Sequence, residues 1–226
     1  MSLFGPVALL GGGEFLPTMM TLDRLLLEGR PRQVVHLPTA AGTEGEARLR
    51  YWENLAAKHF TSFGIRIDTL PVIDRESAES SELAERVLGA GIVYLSDGNP
   101  EYLVHVLSGS RVWQGILDAW ASGAALAGSS AGAMALAERI PGVRIEDPSG
   151  LCVVPGVSVI PRFERYNKRF KATLKKADSG VVFLGIDEDT AIHNLGGQWK
   201  VYGTGLVHVI AKGRRERIPA GEPVSF

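Results

Sequence analysis

Leu126-Ala127-Gly128-Ser129-Ser130-Ala131-Gly132-Ala133-Met134 is the stretch whose reading decides the fold. It joins an apolar run, Ala124 to Ala127, to a helix-forming run, Ala131 to Glu138. Between them Gly128-Ser129-Ser130-Ala131-Gly132 fits the pattern G-x-S-x-G, with Ser130 in the nucleophile's place. The pattern has a geometric reason. A strand that turns sharply into a helix holds the corner residue in a strained backbone conformation, pushes its side chain out at the sheet edge and leaves room only for small neighbours. The new helix offers unpaired N–H groups, and that of Ala131 is placed to stabilise an oxyanion. A tight junction with a buried serine would carry the same letters. The strand before and the helix after favour the nucleophile.

Working outward from the elbow, short apolar runs alternate with helical patterns. Val7 to Leu10 ends in Gly11-Gly12-Gly13-Glu14, and Thr18 to Glu28 then reads as a helix. Gln33 to Leu37 ends in Pro38-Thr39-Ala40-Ala41-Gly42. Leu49, Trp52, Ala56, Phe60 and Phe63 recur at helical spacing within Glu44 to Phe63, and Gly64 stops that helix. Ile65 to Val72 alternates like a strand, Ser80 to Leu88 is helical, and Ile92 to Leu95 is a short buried strand. Ser96-Asp97-Gly98-Asn99-Pro100 follows as a loop, and two more helices cover Glu101 to Leu107 and Val112 to Ala121. Such alternation predicts an α/β three-layer sandwich with a mostly parallel sheet. Ligands on such sheets bind beyond the carboxyl ends of the strands. The loops Gly11–Glu14, Pro38–Gly42 and Ser96–Pro100 and the Ser130 elbow all follow such ends, so they are expected on one rim.

Beyond Ile140 the pattern changes. Val143 to Glu146, Cys152 to Val154 and Val157 to Ile160 are short extended pieces broken by prolines. Phe163 to Lys176 reads as a basic helix with Phe163, Phe170 and Leu174 inward. Val181 to Ile186 is a buried strand, and Trp199 to Ile210 reads as a terminal hairpin. No Ser/Pro/Gly linker divides the chain, so residues 1–226 are expected to form a single domain.

The 226 residues carry a net charge of −1, which offers no field to nucleic acid or acidic membranes. No run approaches the roughly 18 apolar residues of a membrane span, and no signal peptide is apparent. The single cysteine, Cys152, excludes an internal disulfide and is expected as a small buried apolar residue. These readings predict a soluble, cytoplasmic protein without metal or cofactor. Gly11-Gly12-Gly13 lacks the continuation of a dinucleotide-binding loop, and no His/Cys pair has metal spacing. Exposed sheet edges leave room for a homodimer.

Three further groups can carry chemistry. Gly98 lets the loop backbone approach a ligand, and its N–H can be a second oxyanion donor. Asp187-Glu188-Asp189 ends a buried strand, where a carboxylate can orient a histidine, although three acids also suit a solvated loop. Arg162 stands apart from the solvated charges of the basic segment (Arg165, Lys168, Arg169, Lys171, Lys175, Lys176), because it lies beside the expected rim.

Ala127-Gly128-Ser129-Ser130-Ala131-Gly132-Ala133, Gly11-Gly12-Gly13, Gly98-Asn99, Val154-Pro155-Gly156-Val157 and Gly185-Ile186-Asp187-Glu188-Asp189-Thr190-Ala191 together resemble the dipeptidase E and cyanophycinase family of serine peptidases. Gly197-Gln198-Trp199-Lys200-Val201-Tyr202-Gly203 resembles that family's last hairpin. The resemblance runs from about Gly11 to Ile210. It implies a class I glutamine amidotransferase-like (flavodoxin-like) fold and hydrolysis of short peptides or aspartyl-linked amides by a Ser-His-acid triad. Carried over, Ser130 is the nucleophile, Glu188 the acid, and Gly98 and Ala131 the oxyanion hole. Asn99 and Arg162 are the candidate substrate contacts.

One departure is chemical. Where the family carries Asp-x-His-Phe, with the general base, this chain has Ile160-Pro161-Arg162-Phe163. Arginine stays protonated at any working pH and cannot take a proton from serine. The family's Gly-Gly oxyanion loop is Asp97-Gly98 here. Of the other histidines, His36 lies in a strand, His59 on the long helix and His208 in the last hairpin, which leaves His105 and His193 as the nearest replacements. Two readings stay open: a serine hydrolase of altered activity, or a non-catalytic binder of an acidic metabolite or peptide terminus, with Arg162 as a carboxylate clamp.

Overall fold

Val7 and Leu9 face one side of the first strand and Ala8 and Leu10 the other, and all four are buried. That double burial explains why the strand runs read as continuous apolar segments. A computed structural model describes residues 4–141, 149–166, 180–211 and 214–226. The first half runs β1 (Val7–Leu10), α1 (Met20–Leu27), β2 (Gln33–Leu37), α2 (Glu46–Thr61), β3 (Arg66–Thr69), α3 (Arg75–Ala78), α4 (Ser81–Val87), β4 (Ile92–Leu95), α5 (Pro100–Leu107) and α6 (Arg111–Ala121). It closes with β5 (Ala125–Ser129) and α7 (Ala131–Leu136). After these come β6 (Ala137–Arg139), β7 (Val154–Pro161), β8 (Val182–Ile186), β9 (Thr190–His193), β10 (Lys200–Gly203), β11 (Leu206–Ala211) and β12 (Arg214–Pro219).

Several helices begin where a short polar side chain accepts an otherwise unpaired N–H. Ser80 accepts from Leu83 N–H at 3.2 Å, Asn99 from Tyr102 N–H at 3.0 Å and Ser110 from Trp113 N–H at 3.1 Å.

Seven strands form the first sheet in the order β10-β9-β1-β5-β4-β2-β3. From β1 to β3 the neighbours run parallel, and β9 and β10 add an antiparallel margin. One face packs on α1 and α2 through Ala8, Leu10, Ile92, Tyr94 and Ala127. The opposite face shares a core with the helices α4 to α6 and with a second sheet, β12-β11-β8-β7-β6. In that sheet β6, β7 and β8 are parallel, and β11 and β12 are antiparallel. The result is a layered α/β fold, as expected, with a second sheet where the sequence suggested only extended pieces.

Five local expectations change. The helix after the elbow stops at Leu136 instead of Glu138, because Ala137 turns extended and pairs with Val154. The two pieces around Pro155 form one strand, β7, whose pairing with β8 begins only at Val157, so the proline leaves that ladder intact. The two runs of the expected Trp199–Ile210 hairpin do not pair with each other. β10 pairs with β9 and β11 with β8, and the C-terminal hairpin is β11 with β12. Cys152 is exposed, at φ 54°, and not a buried apolar residue. The basic helix does not start at Phe163: Phe163–Arg165 is a single 3-10 turn and Tyr166 is extended. The rest of that helix, with Lys168, Arg169, Phe170, Lys171, Leu174, Lys175 and Lys176, lies outside the described residues, as does Val143 to Glu146.

His36 ties the first sheet to the rim loop. It is fully buried on β2, with Nδ1 3.2 Å from Thr69 Oγ1 and Nε2 3.0 Å from Ser96 Oγ. Burial pushes its pKa down to about 3. The unfolded chain therefore takes up a proton below about pH 6.5 that the folded chain refuses. The stability His36 contributes is complete above that pH and is lost as pH falls toward 3, by about 1.4 kcal/mol per pH unit. Urea unfolding at pH 7 and pH 5 should show a loss about 2 kcal/mol smaller in His36→Gln than in the parent. Equal losses would place His36 in a solvated setting.

Candidate active site

The serine at the corner has the strained backbone that its neighbours predict. Ser130 sits at φ 50° and ψ −109°, between the end of β5 and the start of α7. A non-glycine residue in this region costs about 1–3 kcal/mol and persists only where surrounding structure enforces it. Here Ser130 N–H donates to Leu10 O at 2.9 Å and Ser130 O accepts from Met134 N–H at 2.9 Å. The residue is 3% exposed.

The loops converge as expected. Asn99 N–H donates to Ala40 O at 2.8 Å, joining the loops after β4 and β2. Asp97 N–H donates to Glu14 Oε1 at 3.2 Å, and Ser129 Oγ donates to Glu14 Oε2 at 2.7 Å. Arg162 N–H donates to Gly11 O at 3.0 Å, which brings the end of β7 to the same rim. The three consecutive glycines make room for this meeting. A Cβ on Gly12 would lie 3.2 Å from Arg162 Nε, and one on Gly11 would lie 2.2 Å from Asp187 O.

The two expected oxyanion donors do converge. Gly98 N–H and Ala131 N–H both point at one atom, Asp97 Oδ1, at 2.8 Å and 3.4 Å. Their occupant is thus the carboxylate of Asp97 itself. Its other oxygen, Oδ2, accepts from Arg162 NH2 at 2.9 Å.

Arg162 is the centre of the site. Its backbone is left-handed, at φ 47° and ψ 45°, and its guanidinium points back over the elbow. NH1 donates to Ser130 Oγ at 2.7 Å, NH2 to Asp97, and Nε to Glu188 Oε1 at 3.4 Å. Glu188 also pairs with Arg165. Burial opposes the charge on Arg162, but the carboxylates of Asp97, Glu14 and Glu188 outweigh it and raise its pKa above the ordinary guanidinium value. Arg162 therefore remains a cation and a donor. Glu14 is 3% exposed, and its pKa is raised, first by burial and then by the nearby Asp97 charge, against the Ser129 hydrogen bond.

Of the candidate residues, Ser130, Gly98, Ala131, Glu188 and Arg162 meet. Asn99 is exposed, and its side chain is occupied in capping α5. The other two acids serve the fold: Asp187 Oδ2 accepts from Leu206 N–H at 3.0 Å, and Asp189 accepts from Thr18 Oγ1 at 3.1 Å. No histidine hydrogen-bonds to Ser130 among the described residues. His59 pairs with buried Asp23 at 2.7 Å, His105 is exposed on α5, and His193 Nδ1 accepts from Leu195 N–H at 3.3 Å. His208 lies against Phe163 and 3.5 Å from Asp187. Among the described residues no group of three or more His, Cys, Asp or Glu could hold a metal. The roles of two members of the site do not follow from the sequence. Glu14 was visible only as the end of a glycine run, and the position of Asp97 in the loop did not reveal where its carboxylate turns.

A strained serine at a sheet edge, facing two main-chain donors, has the architecture of a hydrolase site built for acyl transfer. The chain belongs to peptidase family S51, whose model matches residues 7–202. A crystal structure of a peptidase from an acI-B1 Actinobacterium is 34% identical and covers 99% of this chain and 97% of its own, with a TM-score of 0.89. A candidate peptidase E from Listeria monocytogenes EGD-e, 18% identical, has the same fold, with a TM-score of 0.67 over 89% of this chain and all of its own. No curated protein matches the chain.

Proposed function

We propose that this protein uses the peptidase pocket to bind the carboxylate of a small acidic metabolite or peptide terminus without cleaving it. One observation carries this reading: Arg162 donates to Ser130 Oγ at 2.7 Å, from the position where a base would have to accept. A guanidinium with a raised pKa cannot remove the serine proton, but its planar fork suits a carboxylate. Succinate binding, followed by titration calorimetry, should weaken at least tenfold in Arg162→Ala. The unaltered protein should resist a fluorophosphonate and leave a panel of dipeptides intact. Equal succinate affinity in Arg162→Ala would count against the reading.

The retained strain at Ser130, φ 50° and ψ −109°, favours a second reading, a hydrolase of small peptides or aspartyl-linked amides acting through Ser130. Dipeptide turnover that disappears in Ser130→Ala would establish that reading and displace the first.

A further inference from the structure

The oxyanion donors hold a carboxylate that belongs to the protein. We infer that Asp97 is an internal ligand of this pocket, so that an external carboxylate enters only as the Asp97 side chain leaves. The inference rests on the carboxylate-binding reading above and deepens it.

The donor set supports it. Asp97 Oδ1 takes two main-chain N–H groups, from Gly98 and Ala131, and Oδ2 takes Arg162 NH2. These are the donors that an incoming carboxylate would need, arranged for both of its oxygens. The backbone beneath is fixed. Asp97 N–H is held by buried Glu14, and Asn99 N–H by Ala40 O. Gly98 is at φ +150°, and a Cβ there would lie 2.4 Å from the Ala40 carbonyl, so the loop packs directly against the Ala40 backbone with no room for a side chain. The Asp97 side chain, in contrast, is held only by the donors that a ligand would claim. It is 18% exposed, which leaves a path to solvent by rotation.

Electrostatics gives the exchange its direction. Asp97 and Glu188 already flank Arg162, with Glu14 behind the loop. A second carboxylate cannot share Arg162 and the two N–H groups with Asp97, because like charges at contact repel. Ligand affinity is therefore reduced by the fraction of molecules in which Asp97 occupies the site. A glycine at position 97 removes the internal ligand. An asparagine keeps its shape and loses its charge.

The test is succinate binding by calorimetry to the full chain, to Asp97→Asn and to Asp97→Gly. Affinity should rise several-fold in Asp97→Asn and at least tenfold in Asp97→Gly. Asp97→Asn keeps the side-chain volume, so the comparison survives a folding defect in the glycine variant. Equal or weaker affinity in both variants, with clear binding by the parent, would overturn the internal ligand and leave the carboxylate reading standing. Absence of succinate binding in all three proteins would overturn both.

Discussion

Replacing Arg162 by histidine and Asp97 by glycine in one chain is expected to raise labelling of Ser130 by a fluorophosphonate by on the order of 100-fold or more. Two obstacles now stand at the serine. A permanent cation donates to Oγ, and a carboxylate fills the oxyanion donors. A general base typically contributes about 10²–10⁴-fold and a single oxyanion donor about 10²–10³-fold, so removing both obstacles has room for a large effect. Glu188 already lies 3.4 Å from Arg162 Nε, and the test supposes that it would orient a histidine placed there. Each single variant should gain little, and the double variant should gain more than the product of the two single effects. Asp97→Gly leaves Ser130 bonded to the guanidinium, and Arg162→His leaves the donors occupied. Labelling rates for the four proteins, with thermal unfolding as a control for folding, check this. A double variant that folds and labels no faster would show that the elbow cannot present its oxygen to an electrophile.

Gly132→Ala should destabilise the protein by about 3 kcal/mol or more, read as a fall in the urea midpoint. A Cβ on Gly132 would lie 2.2 Å from Leu95 O and 2.8 Å from Leu95 C, so it would strike the backbone of β4. A backbone inside a parallel sheet cannot move aside as a long side chain can. Gly128 faces the same junction from below, and its added Cβ would lie 2.6 Å from the carbonyl carbon of Gly132. The glycines of the G-x-S-x-G pattern thus let α7 start directly against β4 and β5. An unchanged midpoint would mean that the first turn of α7 is free to lift away from the sheet.

What the sequence disclosed depended on the range of the interaction. The strands β1, β2, β4 and β5 were legible because both of their faces are buried, which leaves unbroken apolar runs. The convergence of their loops followed from parallel order alone. The elbow was legible because the strain at Ser130 and the N–H of Ala131 follow from local chain geometry. Partner choice was not local. Lys200–Gly203 and Leu206–Ala211 look like the arms of a hairpin, yet they join different sheets, because β9 and β8 each offer an open edge nearby. Glu14 was hidden for the same reason, since its partner Ser129 lies far along the chain. Arg162 stood out as a departure from the family pattern, and the direction of its guanidinium required coordinates.

The placement of β1 bears on how the protein is made. Val7 pairs beside Leu126 on one flank and Ala8 beside His193 on the other. During synthesis the first strand therefore emerges long before either neighbour exists, with apolar side chains on both faces and unpaired edges on both sides. Such distant pairing slows folding and exposes a sticky strand to other chains. An interior strand of the finished sheet is thus a part of the nascent chain in need of protection, and it is released from that need only when β9 leaves the ribosome.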